Sequence, residues 1–541
     1  MRCPVRTSNQ RRILCIFPAY TPSFGTFSHA YRLMGGVRAF MPPQGILLIA
    51  AYLPAGWLVR FIDENIAPAT AADFAWADGV FVSGMHIQAP QIHDIAARAH
   101  AADKVAVLGG ASVSGAPEQY PDYDYLHIGE IGDATDRLIA RLDESTARPA
   151  AQVRFETGER LPLCDFPIPA YDRTRLGRYL LSSLQFSSGC PYRCEFCDIP
   201  ALYGRQPRLK TPQQLIAELD AMLAQPGYPT LVYFVDDNFI GNRKAAREIL
   251  PHLIAWQRER DYPLMFACEA TLNLAKQTEI LELMRQAHFY TVFVGIETPE
   301  ADALKAMRKD QNATLPMLDA IRTLNSYGLE VTSGIILGLD TDSAESEQHL
   351  KAFIDASNVP ILTINLLQAL PRTPLWDRLK RDGRLIEDDS GLESNVQFLR
   401  PYDEVVATWL RCIAYAYEPE RLFARFMHQV DSTYVNRVVG PARGRLTVNN
   451  LFRGLTLTLN LIWHVGIVSD YRRPFWRVMR YAIRRGQIDG ALGAGFSAHH
   501  LIKFAREAVR GDHNASFYSR KLREAAQDSA RDADLARRKT A

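Results

Sequence analysis

Phe186-Ser-Ser-Gly-Cys190-Pro-Tyr-Arg-Cys194-Glu-Phe-Cys197-Asp-Ile-Pro200 is the stretch on which the reading of this chain turns. It holds three of the eight cysteines found in 541 residues. So sparse a set builds no disulfide scaffold, and its clustering points to metal chemistry in a reducing compartment. Thiolates are the ligands that iron–sulfur clusters demand. Spaced C-x3-C-x2-C, they can bind three irons of a cubane and leave the fourth open to a small molecule. Structural zinc wants four protein ligands. No second C-x2-C knuckle is present, and no histidine lies between His127 and His252.

Downstream and just upstream of this loop the chain alternates apolar strands with helices. Strands are expected at Leu181–Phe186, Leu231–Asp236, Leu264–Cys268, Thr291–Gly295, Glu330–Leu337 and Ile361–Leu367, with helices at Pro212–Ala224, Arg243–Gln257, Ala275–Ala287 and Leu315–Tyr327. Six such βα units read as a full or partial parallel barrel, whose active-site residues sit at the carboxyl ends of the strands. The cysteine loop follows the first strand.

Further upstream a second alternation runs through Arg12–Phe17, Trp57–Asp63, Gly79–Ser83, Lys104–Gly109 and Tyr123–Ile128, with helices at Ile46–Leu53, Gln91–Ala102 and Asp133–Leu142. It predicts a doubly wound, Rossmann-like parallel sheet. Such sheets bind ligands at their carboxyl edge, where small residues let the backbone approach a bulky molecule. Ser83, Gly109, Gly110 and Gly129 stand there; plain turn chemistry is the competing explanation. The long segment from Pro18 to Gln44 is of a length that is usually functional. Val153–Leu163 reads as a small hairpin, and Phe166-Pro-Ile-Pro-Ala170 as a stiff connector.

Beyond about residue 380 the pattern turns helical, with amphipathic helices at Val405–Tyr417 and Pro419–Val430. Leu455–Val468 is strongly apolar but only 14 residues long, too short to span a bilayer. Arg472, Arg473, Arg477, Arg480, Arg484 and Arg485 follow it, interleaved with Phe475, Trp476 and Tyr481. This is either a core helix with a solvated basic neighbour or a surface for lipid. The tail from 519 to 541 is expected to be disordered. Apolar residues make up 47% and charged residues 23%, which excludes disordered and fibrous classes; 62 Lys+Arg against 60 Asp+Glu leaves no footprint for nucleic acid. No apolar h-region precedes Ile13, so no signal peptide is expected and the chain reads as cytoplasmic.

The cysteine loop, with an aromatic just before its last thiol, resembles that of the radical S-adenosylmethionine (SAM) superfamily. The resemblance implies a partial (β/α)6 barrel and one 4Fe–4S cluster on Cys190, Cys194 and Cys197. SAM chelates the open iron and is cleaved to a 5′-deoxyadenosyl radical. It places Phe196 near the adenine and puts Asp237, in Asp236-Asp237-Asn238, where the family keeps its glycine-glycine-glutamate element. Glu269 is implied as a ribose partner, Glu297 as a strand-end ligand, and Gly334 and Gly338 as an adenine-packing element. For Glu269 and Glu297 a cap or buried ion pair is the alternative. A doubly wound domain ahead of the barrel resembles the cobalamin-binding subclass. The cobalt-ligating Asp-x-His-x-x-Gly motif is absent, so cobalamin without a histidine lower ligand is expected; His86 reads as a structural histidine.

Over nearly the whole chain, Pro42-Pro-Gln-Gly45, Phe61-Ile-Asp-Glu-Asn65, Val82-Ser-Gly-Met-His86, Cys197-Asp-Ile-Pro-Ala-Leu-Tyr-Gly204, Tyr233-Phe-Val-Asp-Asp-Asn-Phe239 and Thr363-Ile-Asn-Leu-Leu-Gln-Ala-Leu-Pro371 are similar to the hopanoid C-2 methyltransferases and their paralogues. That implies methylation of ring-A C-2 of a hopanoid-like substrate and a reductant such as flavodoxin or ferredoxin; the lipid-surface reading of Leu455–Val468 and its arginines adds peripheral contact with the inner membrane. The alternatives are methylation or rearrangement of another lipid or natural product, and a non-catalytic redox sensor. The expected units are a cobalamin-binding domain at 1–150, a linker at 151–180, the barrel at 181–380 and a helical region at 381–518.

Overall fold

In a computed structural model the chain is described over residues 7–313, 316–386, 392–438 and 443–512. The expected disordered tail lies outside them. The first sheet contains β1 (Arg12–Phe17), β2 (Leu58–Asp63), β3 (Gly79–Ser83), β4 (Val105–Gly109), β5 (Tyr125–Ile128) and β6 (Val153–Glu156), in the order β2-β1-β3-β4-β5-β6. Every pairing is parallel. The chain winds outward from β1 in one direction and then in the other, which is the doubly wound topology. Alternate residues serve opposite faces of each strand. Leu14, Ile16, Val80, Val82 and Leu108 pack with Ile92, Ile95 and Ala99 of the helix Ala89–Ala101, while Ile13, Cys15, Phe81, Val105 and Val107 pack with Ile46, Leu138 and Leu142.

The expected hairpin at 153–163 is not formed. Val153–Glu156 is instead a sixth parallel strand, with Tyr125 opposite Val153 and Ile128 opposite Glu156. Only Phe155 of its four residues is buried, as suits an edge strand with one open side. The sheet therefore continues past the expected boundary at 150.

A two-residue ribbon, β8 (Ser187–Ser188) with β9 (Arg208–Leu209), follows β7 (Ser182–Leu184). The second large sheet is β7, β10 (Leu231–Phe234), β11 (Met265–Ala270), β12 (Phe289–Glu297), β13 (Glu330–Leu337) and β14 (Ile361–Leu366), neighbours in chain order and all parallel. Six strands wound in one direction make the partial barrel expected. Its core continues without a break into the C-terminal helices: Phe234, Phe266, Ile364, Trp409, Phe423, Phe475 and Phe504 belong to one buried cluster. Phe24, Ala30 and Leu33 of the 18–44 segment join that cluster too. Phe24 stacks on Tyr417 at 5.0 Å and meets Phe504 edge-on at 4.6 Å, so this segment ties the first sheet to the last helix.

Helix Val448–Asn460 runs on into a π-helical segment, Leu461–Val468. The apolar helix is thus 21 residues long, enough in length and composition to cross a membrane, which corrects the 14-residue reading. Asn449, Asn450 and Arg453 interrupt the apolar run and hid its first two turns in the sequence.

Candidate active site

The cysteine loop leaves the barrel through the β8–β9 ribbon. Gly189 sits at φ +99°, and any Cβ there would lie 2.9 Å from the Gly204 carbonyl. Only glycine turns the chain at this neck. Its N–H donates to Asp237 Oδ2 at 2.6 Å, and the Cys190 N–H donates to the Gly204 carbonyl at 3.2 Å. At the far end the Glu195 N–H donates to the Met307 carbonyl, and its carboxylate accepts from Arg378 Nε at 2.6 Å and Nη2 at 3.2 Å. Arg378 also reaches Asp340 at 2.7 Å. The thiols therefore ride on a loop pinned at both ends.

Cys190, Cys194 and Cys197 are free and partly exposed. Burial raises the Cys190 and Cys197 thiols above their usual range, as expected for thiols without a cation beside them. Among the described residues no three His, Cys, Asp or Glu side chains are gathered as ligands of a single ion. A structural zinc would ask for a fourth protein ligand beside the three thiols. Three soft donors on one pinned loop, with Cys268 buried in β11 and no fourth thiol beside them, suit the corners of a cubane with one corner open. The donor set fits the cluster.

Acidic residues line the ends of the next strands. After β10, buried Asp236 accepts from the Phe186 and Ser187 N–H groups and is pushed up to about 7, chiefly by burial. Asp237, holding Gly189, is pushed up to about 6 by burial. The pair thus fastens the neck of the cysteine loop, a role that its sequence did not disclose. Glu269 on β11 accepts from the Tyr233 hydroxyl at 3.3 Å and is pushed up to about 7 by burial, then by Asp237. Glu297 ends β12 at a bulge with φ +67°, an unusual conformation for a side chain of its size. Its carboxylate pairs with Lys309, whose ammonium lies 5.5 Å from the Phe196 ring centroid.

Two cavities border this loop. One, of about 270 Å³, opens at the carboxyl edge of the first sheet. Ser83, Gly109, Gly110 and Gly129 all line it, with Gln44, His127, Tyr203 and Asp237. Gly110 lies at φ +93°, and a Cβ there would fall 2.5 Å from Ser83 Oγ. His127 is buried, its Nε2 2.8 Å from Thr135 Oγ1, and burial holds it down to about 4. His86 is not part of this wall; its ring packs against Gly115. The other cavity, of about 330 Å³, gathers Phe196, Phe293, Glu297 and Gly334 from the barrel with Pro22 and Phe24 from the 18–44 segment and Trp409 and Phe504 from the C-terminal helices. Gly338 lines neither. At φ +86° it abuts the Phe398 ring and donates to Asp342 Oδ2 at 2.7 Å, so its need for glycine is one of folding.

Lys309, Tyr203, Trp409 and Phe504 were not singled out from sequence. Lys309 sits in no motif, and the aromatic pair reaches the cavity only through tertiary packing. The length of the 18–44 segment was the one signal for Phe24.

The radical SAM superfamily profile matches residues 184–353, and a domain of unknown function, DUF4070, matches 373–514. A hopanoid C-2 methylase of Rhodopseudomonas palustris (strain TIE-1) is 59% identical over 516 residues, covering 95% of this chain and 98% of that one. The chain belongs to the hopanoid C-2 methylase family. Membership of this methylase family makes it a radical SAM methyltransferase and sets aside the redox-sensor alternative. Its fold is shared with the radical SAM methyltransferase TsrM of Kitasatospora setae, solved with cobalamin and a [4Fe-4S] cluster (TM-score 0.56, 16% identity, 88% of this chain and 100% of that one). It is shared also with OxsB, a cobalamin-dependent SAM radical enzyme solved with aqua-cobalamin and SAM (0.59, 14%, 93% and 80%). Against those folds, the methylase-family chain presents its glycine-walled cavity at the edge of the first sheet and its aromatic cavity at the barrel mouth.

Proposed function

We propose that the chain methylates C-2 of ring A of a hopanoid, with SAM, one 4Fe–4S cluster on Cys190, Cys194 and Cys197, and cobalamin. The observation that carries this reading is that one loop borders both cavities: Phe196 lines the aromatic one, and Leu202 and Tyr203, a few residues on, line the glycine-walled one. An unactivated ring carbon offers no lone pair for a polar methyl transfer, so the hydrogen must leave by radical abstraction. A cluster held by Cys190, Cys194 and Cys197 with SAM would supply that abstraction when bound, and cobalamin at the glycine-walled edge would supply the methyl group.

The chain's own part is to bind, align and keep water out. Phe24, Phe293, Trp409 and Phe504 give the substrate cavity an apolar wall suited to a polycyclic hydrocarbon. Phe196 and Gly334 offer a flat surface to an adenine ring, and Glu297 with Lys309 offers both signs of charge to the amino acid part of SAM. Glu269, at the end of the neighbouring strand β11, is a further acceptor, while Asp237 lines the other cavity and holds the Gly189 N–H. Ser83, Gly109, Gly110 and Gly129 let the first sheet approach a corrin edge. Neither histidine near this edge would hold the cobalamin through its ring, because Nε2 of His127 is engaged with Thr135 and His86 lies outside the cavity wall.

Residues 1–150, extended by β6, serve as the cobalamin unit, 181–380 as the barrel and 381–518 as the helical cover. A small acidic reductant of the flavodoxin or ferredoxin type feeds the cluster, and the enzyme works in the cytoplasm against the inner membrane. Lipid extracts from a strain lacking the gene, analysed by gas chromatography–mass spectrometry, should contain no 2-methylhopanoids. Plasmid-borne wild type should restore them and Cys194→Ala should not. Unchanged 2-methylhopanoids in the deletion strain would refute the substrate assignment.

A further inference from the structure

The 21-residue helix Val448–Val468 is built inside out. Leu451, Phe452, Leu455, Leu459, Trp463 and Ile467, recurring at three- and four-residue intervals, are all more than half exposed, whereas Arg453 is buried. Arg453 Nη2 donates to the Gly177 carbonyl, and Asn460 Nδ2 donates to the Leu33 carbonyl at 3.2 Å. The polar side of the helix thus faces the protein and the apolar side faces out, with only 22% of its apolar window buried. At about 1.5 Å per residue the exposed stripe from Leu451 to Ile467 is roughly 24 Å long. So large an apolar surface costs free energy in water and marks a contact.

A second feature adjoins it. The Trp476 indole N–H donates to the Gly466 carbonyl at 2.8 Å, which packs the following helix, Arg472–Arg484, against the end of the stripe. Around Gly466 and Trp476 lies a hollow of about 730 Å³ rimmed by Arg472, Arg473, Arg477, Arg480 and Arg484. Arg473, Arg477, Arg480 and Arg484 share one face of the helix by their spacing. Arg477 pairs with Glu420 at 2.8 Å. Arg472 and Arg480 meet only backbone carbonyls, and Arg473 and Arg484 have no carboxylate partner among the described residues. Like charges gathered on one face repel, so the hollow is electrostatically suited to an anion.

We propose that the stripe and the hollow together form one docking surface for an anionic bilayer, with the helix lying in the interface and phospholipid phosphates seated among the arginines. The bilayer is favoured over a protein partner because apolar length and unpaired positive charge sit side by side, as they do where acyl chains meet headgroups. The helix lies on the membrane and does not cross it, since Arg453, Asn460 and Leu461 hold one side against the body of the protein. The surface also continues toward the aromatic cavity. Gly35 packs on Thr456 beside the stripe, while Phe24 of the same segment lines that cavity. The 18–44 segment is therefore placed to pass an apolar substrate from bilayer to barrel. That last step rests on the substrate reading above; the docking does not.

Full-length protein floated with vesicles tests the docking. It should rise with phosphatidylcholine vesicles containing phosphatidylglycerol at low salt and much less with phosphatidylcholine alone or at high salt. Free inorganic phosphate should not displace it. The triple variant Arg473→Glu, Arg480→Glu, Arg484→Glu should lose about a hundredfold in partitioning, or about 1 kcal/mol for each arginine. Leu455→Ser with Leu459→Ser should weaken binding at every salt concentration. Near-ultraviolet circular dichroism checks that the variants are folded. Brominated lipids should quench wild-type fluorescence more than that of Trp463→Phe. Wild type remaining at the bottom with anionic vesicles at low salt overturns the proposal, as does a triple variant that floats unchanged, or release by millimolar phosphate. Flotation without 2-methylhopanoid formation in the strain would leave docking standing and remove the substrate.

Discussion

The chain builds two six-stranded parallel sheets and uses their carboxyl edges for opposite purposes. The first is wound both ways from β1 and walled at its edge by Ser83, Gly109, Gly110 and Gly129, which remove side chains from the approach. The second is wound one way and crowds its edge with Phe196, Phe293, Glu297 and a pinned loop of thiols. On the function proposed above, the emptied edge would let a large flat ligand approach the backbone, and the furnished edge would hold small reacting groups. The same strand-end rule thus yields a dock and a reaction chamber, depending on what the first residues after each strand carry.

The sharpest break in that comparison comes from the thiols. Cys190→Ala, Cys194→Ala or Cys197→Ala should abolish SAM cleavage, measured as 5′-deoxyadenosine formed with a chemical reductant, by more than about a thousandfold. The melting temperature of the metal-free protein should stay within about 2 °C, because the loop contributes little to the core. Substantial cleavage by any of the three would overturn the ligand assignment.

Next in size is the emptied edge. At Gly109 an added Cβ would meet nothing nearer than His127 Cβ at 3.8 Å, so Gly109→Val is tolerated by the fold while its methyls enter the cavity. Cobalamin retention after gel filtration should fall by about a hundredfold, the order expected when a ligand loses roughly 3 kcal/mol of close contact. SAM cleavage without substrate should persist. If both activities fall together, the two edges are not independent.

Gly338→Ala separates folding from chemistry at the second edge. Its Cβ would fall 2.4 Å from the Phe398 ring, at φ +86°. The variant should lose about 2 kcal/mol of stability in urea titration. SAM cleavage per folded molecule should be unchanged. A selective loss of SAM affinity would return Gly338 to the adenine wall.

The two sheets also differ in how legible they were. Five of the barrel strands and five of the first sheet carry buried apolar runs that fall between turn residues, β7 being short and serine-rich, and both topologies follow from that alternation. Val153–Glu156 did not show, because an edge strand with one buried residue looks like any short extended segment. The cysteines and small strand-end residues were readable because each is a local motif. Phe24, Trp409 and Phe504 were not: their common cavity joins residues near both ends of the chain, and no local pattern encodes such a meeting. The apolar helix was half-read. Its outward face became visible only when Arg453 proved to be the buried residue.

The smallest expected effect is the pH dependence that His127 adds from the first sheet. His127 lies in the cavity wall, and burial holds it down to about 4, while in the unfolded chain it titrates near about 6.5. Above the unfolded value both states are neutral, and its contribution to stability is complete. As pH falls below that value the unfolded chain gains a proton that the folded chain refuses, so stability drops until pH reaches the folded value. Between about pH 7.5 and pH 5.5 this amounts to about 1 kcal/mol. His127→Gln, which can still meet Thr135 with its amide, should flatten the difference in urea-unfolding free energy between those pH values by that amount. His500, buried under the 18–44 segment and held down to about 3 by burial, adds a dependence of the same sign in the C-terminal helices that His127→Gln leaves in place. The wild-type-minus-variant slope therefore isolates the first sheet. If that slope is absent, His127 titrates in the fold as it does in the unfolded chain, and the buried imidazole engaged with Thr135 would have to be given up.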